Sequence, residues 1–254
     1  MTRPWIATAL TASALAAGWL WLTLSGAVSD LFLPPPRELW DALLDLLQNG
    51  YKSRPLWEHI ADSLIRVFAG FGLGAAVGTL LGLLMGYLPI VDALAAPFVE
   101  FLRPLPQLAY LVLLIIWLGI GETSKITLLV LAMFAPICLS AQAGVRSLPL
   151  ERVNAARSLG ASRLQLFISI VLPSALPEIL TGVRIAFGIG WGTLVAAELI
   201  ASTRGIGFMI MSASQFLATD VVFVGIGIIA ICAFAFTAAI RILEAVLVPW
   251  KGKL

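Results

Sequence analysis

"ERVNAARSLGASRLQ", residues 151–165, carries three arginines and one glutamate, and its helix-forming run closes on a glycine. The chain around it is apolar: 60% of the 254 residues are hydrophobic, only 12% are charged, and the mean hydropathy is +1.01. A soluble domain has about a quarter of its residues charged, so this composition belongs to a membrane protein. A bilayer core about 30 Å thick takes about 20 apolar residues per helix. Backbone polar groups in that layer must be satisfied internally, and the sequence lacks the short alternating segments of a barrel. The expected fold class is therefore all-α, a polytopic membrane helical bundle with about six transmembrane helices. Residues 151–165 then form an extramembrane helix between two spans.

Working outward, apolar runs at about 5–24, 64–88, 105–120, 124–146, 175–200 and 219–248 read as the spans. The first could be a signal peptide cleaved after "SGA". Its apolar stretch of about 20 residues exceeds the usual hydrophobic region of about 7–15, and Trp19 and Trp21 suit an interfacial belt. An N-terminal anchor helix at 5–24 is the reading adopted. Residues 29–62 form an external amphipathic segment. Prolines stop the first helix, and Leu39, Leu43, Leu46 and Leu47 then share one helical face, with Glu38, Asp41 and Asp45 elsewhere. His59, the single histidine, reads as a polar residue of an extramembrane helix and supports no metal site. Cys138 and Cys232 read as small buried hydrophobes.

The second span holds Gly70, Gly74, Gly78, Gly82 and Gly86, each four residues from the next. On a helix they make one smooth seam that lets a neighbouring backbone approach closely. Prolines 104 and 106 break the start of the third span, and "GIGETS" (119–124) turns the chain into the fourth. Pro173 and Pro177 fall near the first turns of the fifth span, where proline is tolerated. Lysine and arginine bias sets the orientation. With the N-terminus inside, Arg3, Arg103, Arg146, Arg152, Arg157, Arg163, Arg241, Lys251 and Lys253 are cytoplasmic. Arg37, Lys52, Arg54, Arg66, Lys125 and Arg204 are outside, offset there by the acidic 29–62 segment.

The opening segment is then cytoplasmic. Ala155, Ala156 and Leu159 form a small apolar face flanked by Arg152 and Arg163. Asn154 or Ser158 can satisfy backbone groups at the helix ends, and Gly160 can turn the chain in a left-handed conformation. Such a helix is either a knob for a soluble partner or a solvated connection, and spacing alone leaves both open.

"NAARSLGAS…VLP" resembles the EAA motif of ABC-importer permeases, with alanines 155 and 156 and Gly160 where that family has them. Asn154 stands in place of the usual glutamate, and Glu151 lies a turn upstream. The likeness extends from "LFLPPP" to the tail and is strongest to the nitrate, sulfonate and taurine branch. "FLRPLPQLAYLVLLIIWLGIGETSKI" is similar to that branch's third and fourth spans. The stretch from "LPSALPEIL" to "FLATDVV" is most similar to taurine permease subunits. The resemblance implies a type I ABC-importer permease fold as a single domain over 1–254, with a core at 64–248. It implies a coupling helix near 151–163, in which Glu151, Arg152, Asn154, Ala155, Ala156, Leu159, Gly160 and Arg163 meet an ATP-binding subunit.

It further implies two such subunits carrying ATP and Mg, an external substrate-binding protein, a second permease copy as a homodimer, and a bacterial inner membrane with both termini cytoplasmic. The cargo implied is taurine or a related small sulfonate, with nitrate or an alkanesulfonate as the alternative. The chain itself has no cofactor site and no nucleic-acid partner. It has no GxxxxGK[ST] loop to cradle a nucleotide and no GxSxG or HExxH, so it is read as a transport subunit and not an enzyme. An ion-coupled secondary transporter would need midplane coupling charges and internal repeats, and no repeat is evident.

A charge in mid-membrane costs about 2.5–3.5 kcal/mol on insertion scales, so such residues face the bundle interior or water. Arg184 and Glu198 are fourteen residues apart on the fifth span, about 21 Å along a helix, and do not pair with each other. They bind neighbouring helices or line a pathway. Trp191 and Thr193, among glycines 188, 190 and 192, complete the candidate pathway group.

Overall fold

The computed structural model describes residues 4–249, so Arg3, Lys251 and Lys253 of the charge bias lie outside the described residues. The elements run α1 Pro4–Leu24, α2 Pro36–Gln48, α3 Leu56–Tyr87, α4 Pro89–Leu102, α5 Gln107–Leu118, α6 Glu122–Arg146, α7 Leu150–Ser158, α8 Arg163–Leu166, a π turn Phe167–Val171, α9 Leu172–Ala201, α10 Ile206–Gln215 and α11 Thr219–Leu247. There is no β-strand among the described residues, and the all-α class holds. Among the described residues, five helices are long and apolar enough to cross a membrane, and the bent pair α4–α5 passes the same test when taken together.

That pair differs from the straight third span expected at 105–120. α5 has 12 residues, about 18 Å of helix, which is too short for the bilayer. It is joined to α4 across a 101° bend at residues 103–106, where Pro104 and Pro106 prevent a continuous ladder. The fifth span is also longer than expected. It starts at Arg163 and runs unbroken to Ala201, with Pro173 and Pro177 inside it. The π turn directly before Pro173 gives the reason. A proline presses on the carbonyl four residues back, here that of Ser169 within the π turn, and a wider turn relieves that crowding.

The chain divides into two compact units, so the single domain read from the sequence has internal structure. The first comprises the chain up to Asp62 and Thr203–Ala230; the second comprises Ser63–Ser202 and the chain from Ile231. In the first unit, Ala42, Leu46, Leu56, Ile206, Met209 and Val224 form the core, with Leu39 and Leu43 against it. Leu47 points away and is 62% exposed, which corrects its assignment to the apolar face. It lies one residue (about 100°) from Leu46, at the margin of the stripe. His59 is buried within the first turn of α3. Its Nδ1 accepts from the Gly205 N–H at 3.2 Å, so its Nε2 carries the proton toward the Tyr51 carbonyl at 3.3 Å. α1 is largely uncovered by the rest of the chain, with Leu10, Leu15, Trp21 and Leu24 exposed.

The second unit is built around α6. The glycine row on α3 lies along one side of it. A methyl group at Gly78 would meet the Phe134 carbonyl at 2.8 Å and Ile137 at 3.3 Å; Gly74 faces Val130 and Met133, Gly70 faces Leu129, Gly82 faces Cys138 and Ala141, and Gly86 faces Gln142 and Val145. α9 packs along another side, where Gly144 approaches Ala175 closely and Gly182 abuts Ser140. α4 is tied to the same helix by Asp92, which accepts from Gln142 and from Arg146 at 2.5 Å.

Candidate functional site

The extramembrane helix at 151–165 is compact. α6 ends at Arg146, Ser147–Pro149 carries the chain over, and α7 spans Leu150–Ser158. Gly160 takes φ +81°, with its N–H on the Arg157 carbonyl at 2.9 Å and the Ala161 N–H on the Ala156 carbonyl at 3.1 Å. This is a Schellman stop, which needs a left-handed residue at that place. Ser158 donates to the Asn154 carbonyl at 3.0 Å. Ser162 and Gln165 then form a capping box that starts α8.

The face this helix presents differs from the expected trio. Leu159 is 89% exposed and Leu150 75%, while Ala156 is 9% exposed. Ala156 is turned toward the rest of the chain, and Leu150, Ala155 and Leu159 are the apolar residues left exposed. Glu151, Arg152, Asn154, Gly160 and Arg163 are exposed around them. Beneath α7, between it and the start of α9, lies a cavity of about 700 Å³ lined by Arg152, Ala155, Ala156, Pro173 and Glu178 among others.

Deeper in the second unit sits a buried charge network. The Arg66 guanidinium holds Glu122 through Nε at 2.5 Å and Nη2 at 2.9 Å, and Glu198 through Nη1 at 2.5 Å. Ser63 donates to both Glu198 oxygens, at 2.8 and 2.9 Å, and the Lys125 ammonium is 3.5 Å from Glu122. Glu198 is thus joined to a neighbouring helix and is 1% exposed. Arg184 lies 3.7 Å from Glu244 and lines a cavity with Arg241. Thr193 donates to the Ile189 carbonyl at 2.9 Å and is buried, as is Trp191. The face of α9 left open by its own chain carries instead Glu178, Ile185, Gly188, Ile189 and Gly192.

A second cavity, about 410 Å³, adjoins this face, with Arg103, Gln107, Ser140 and Glu178 among its lining residues. The sequence reading missed Arg66 as a network residue because it sits near the end of its span. It also passed over Arg103 as a loop charge. The usable signal was a set of opposite charges at matching depths of several spans, which must find partners or water.

Residues 78–250 match the family model described as "binding-protein-dependent transport system inner membrane component". The chain belongs to this family of permeases. It is 49% identical over 244 residues, covering 96% of this chain and 89% of the relative, to the taurine transport system permease protein TauC of Escherichia coli (strain K12). It is 35% identical over 248 residues, 98% and 88% of the two chains, to the putative aliphatic sulfonates transport permease protein SsuC of Bacillus subtilis (strain 168). Among solved structures, an amino acid ABC transporter with histidines aligns at TM-score 0.57 and 19% identity, covering 75% of this permease and 91% of that chain. The MetNI methionine ABC transporter in an inward-facing form aligns at 0.51 and 21%, covering 73% and 94%. These likenesses fix the fold as that of an ABC-importer permease. The chain is a transport subunit and not an enzyme, and hydrolysis of ATP belongs to another subunit of such importers.

Proposed function

We propose that this permease carries taurine into the cytoplasm of a bacterium. The observation that carries the reading is 49% identity, across 96% of the chain, to a taurine permease. An aliphatic sulfonate is the second reading, favoured by the 35% identity to a permease of that name. The permease works as a homodimer in the inner membrane with both termini cytoplasmic. Two ATP-binding subunits holding ATP and Mg sit below it, and a substrate-binding protein delivers cargo from outside.

In this reading α7 is the coupling helix. Leu150 and Leu159 enter a cleft of the ATP-binding subunit, and Glu151, Arg152, Asn154, Arg157 and Arg163 surround them with exposed polar groups. The linker on each side of α7 is short, so a displacement of α7 pulls on α6 through Ser147–Pro149 and on α9 through Leu159–Ser162. ATP binding closes the partner subunits and favours one of two permease conformations, as any ligand with differential affinity does. The cargo route follows the open face of α9, so that Glu198, Trp191 and Thr193 act from behind it and Arg184 acts at the Glu244 side.

Labelled taurine uptake in cells lacking this chain tests the reading. Uptake is expected to return with the intact permease and not with Gly160→Asp, with ethanesulfonate and nitrate as competitors. Taurine uptake that does not depend on this chain would remove taurine as the cargo.

A further inference from the structure

We propose that the 410 Å³ cavity between the α4–α5 bend, α6 and α9 is a resting site for the cargo inside the membrane domain, and that it grips a small zwitterion, Arg103 holding the sulfonate and Glu178 the ammonium. The proposal rests on the taurine reading above.

The cavity lies within the usual size range of small-molecule sites, about 300–1,000 Å³. Apart from Ser140 and Glu178 its walls from α6 and α9 are apolar, and the bend adds Arg103 and Gln107. Among the described residues, neither Arg103 nor Glu178 makes a side-chain hydrogen bond or an ion pair, with each other or with another group. Of the other charges in the unit, Arg66, Asp92, Arg184 and Glu198 each have a partner, while Glu100, Arg241 and the charges of α7 stand without an ion pair among the described residues but lie outside this cavity. Two opposite charges that share a cavity without meeting leave room for a molecule carrying the complementary pair. Taurine is that molecule in the simplest form, a sulfonate and an ammonium joined by two methylenes. The arginine fork suits a multi-oxygen anion, and Gln107 and Ser140 can donate to further sulfonate oxygens. Glu178 also lines the cavity under α7. The ammonium-holding group therefore stands where the resting site meets the groove of the coupling helix, so movement of α7 can alter the grip on the cargo.

The experiment uses the complete importer in proteoliposomes, with labelled taurine or ethanesulfonate on the binding protein and ATP supplied to the nucleotide subunits. Arg103→Gln is expected to reduce uptake of both compounds, and Glu178→Gln that of taurine alone, each by about tenfold or more, the scale of a lost charged hydrogen bond. Each variant is expected to assemble with the nucleotide subunits at the wild-type level, and Arg103→Lys to retain more uptake than Arg103→Gln. Wild-type taurine uptake in both glutamine variants would overturn the site while leaving the cargo reading intact. Loss of the assembled complex together with uptake would make these residues structural and would equally overturn it. A wild-type importer that carries ethanesulfonate and not taurine would refute the cargo reading, and the ammonium role with it.

Discussion

Glu198→Ala is expected to lower the stability of the permease steeply, because it removes one carboxylate of a buried charge network. The Arg66 and Glu198 side chains are 2% and 1% exposed. The substitution removes the 2.5 Å contact from Arg66 and the 2.8 and 2.9 Å bonds from the Ser63 hydroxyl. Removing one partner of a buried pair costs about 3–5 kcal/mol. Glu122 remains on the guanidinium but is 39% exposed, so the loss falls in the lower half of that range. At about 2–4 °C per kcal/mol for a chain of this size, melting should fall by about 6–16 °C. Arg66→Met/Glu198→Met should recover most of it. The double change leaves no unpaired buried charge, and Lys125 still has Glu122 at 3.5 Å. The assay is heating of purified protein in detergent with a thiol-reactive dye in a Cys232→Ser background, where Cys138, fully buried, reports unfolding. A single variant that melts with the wild type, or a double variant as unstable as the single one, would refute the reasoning.

The glycine seam makes a paired prediction: Gly82→Val should abolish monodisperse protein on size exclusion, since its Cβ would meet the Cys138 carbonyl and Ala141, whereas Gly72→Ala, with nothing within 4 Å, should be neutral or slightly stabilising. On α7, Leu159→Cys should cross-link readily to the ATP-binding subunit and Ala156→Cys poorly, following their exposures of 89% and 9%. Gly160→Ala has open space for its methyl but a φ of +81°, so it should cost about 1–2 kcal/mol and reduce uptake more than membrane level. Asp92→Asn should release the Arg146 end of α6 from α4 and lower the melting temperature by less than Glu198→Ala does, because Arg146 is 54% exposed.

Much of this architecture was legible because apolar length and glycine spacing are strong one-dimensional signals. A glycine every fourth residue lies on one helix face whatever the tertiary setting, and the row at 70–86 does meet a single partner helix. The short helix and its Gly160 stop were legible for the same reason, since a left-handed turn favours glycine locally. The bend at 103–106 was harder. Its prolines were visible, but α4, with Pro97 inside it, starts after Leu88 without a side-chain cap and so escaped notice as a helix. The partners of Glu198 could not be read at all. Arg66 is 132 residues away in the chain, and only tertiary packing brings it to Glu198. The inward placement of Ala156 was likewise invisible, because it depends on tertiary packing rather than on the spacing of the helix.

The position of α6 explains how a small helix could govern a whole permease. One side of α6 is pressed on the glycines of α3 and another on α9, where Gly144 and Gly182 remove side chains that would hold the helices apart. Contacts that close hold the helix backbones together along their length. One end of α6 is fixed by charge, through Glu122 and Lys125 in the Arg66 network; the other carries Gln142 and Arg146 on Asp92 and then passes into α7 within three residues. A push on α7 therefore reaches the α4–α5 bend through Asp92 and reaches α9 through its continuous helix from Arg163. Arg103 stands at that bend and Glu178 on that helix. The two groups that would hold a zwitterion thus sit on the two elements a single displacement of α7 would move, and separating them by even a small distance would weaken both ends of the grip at once.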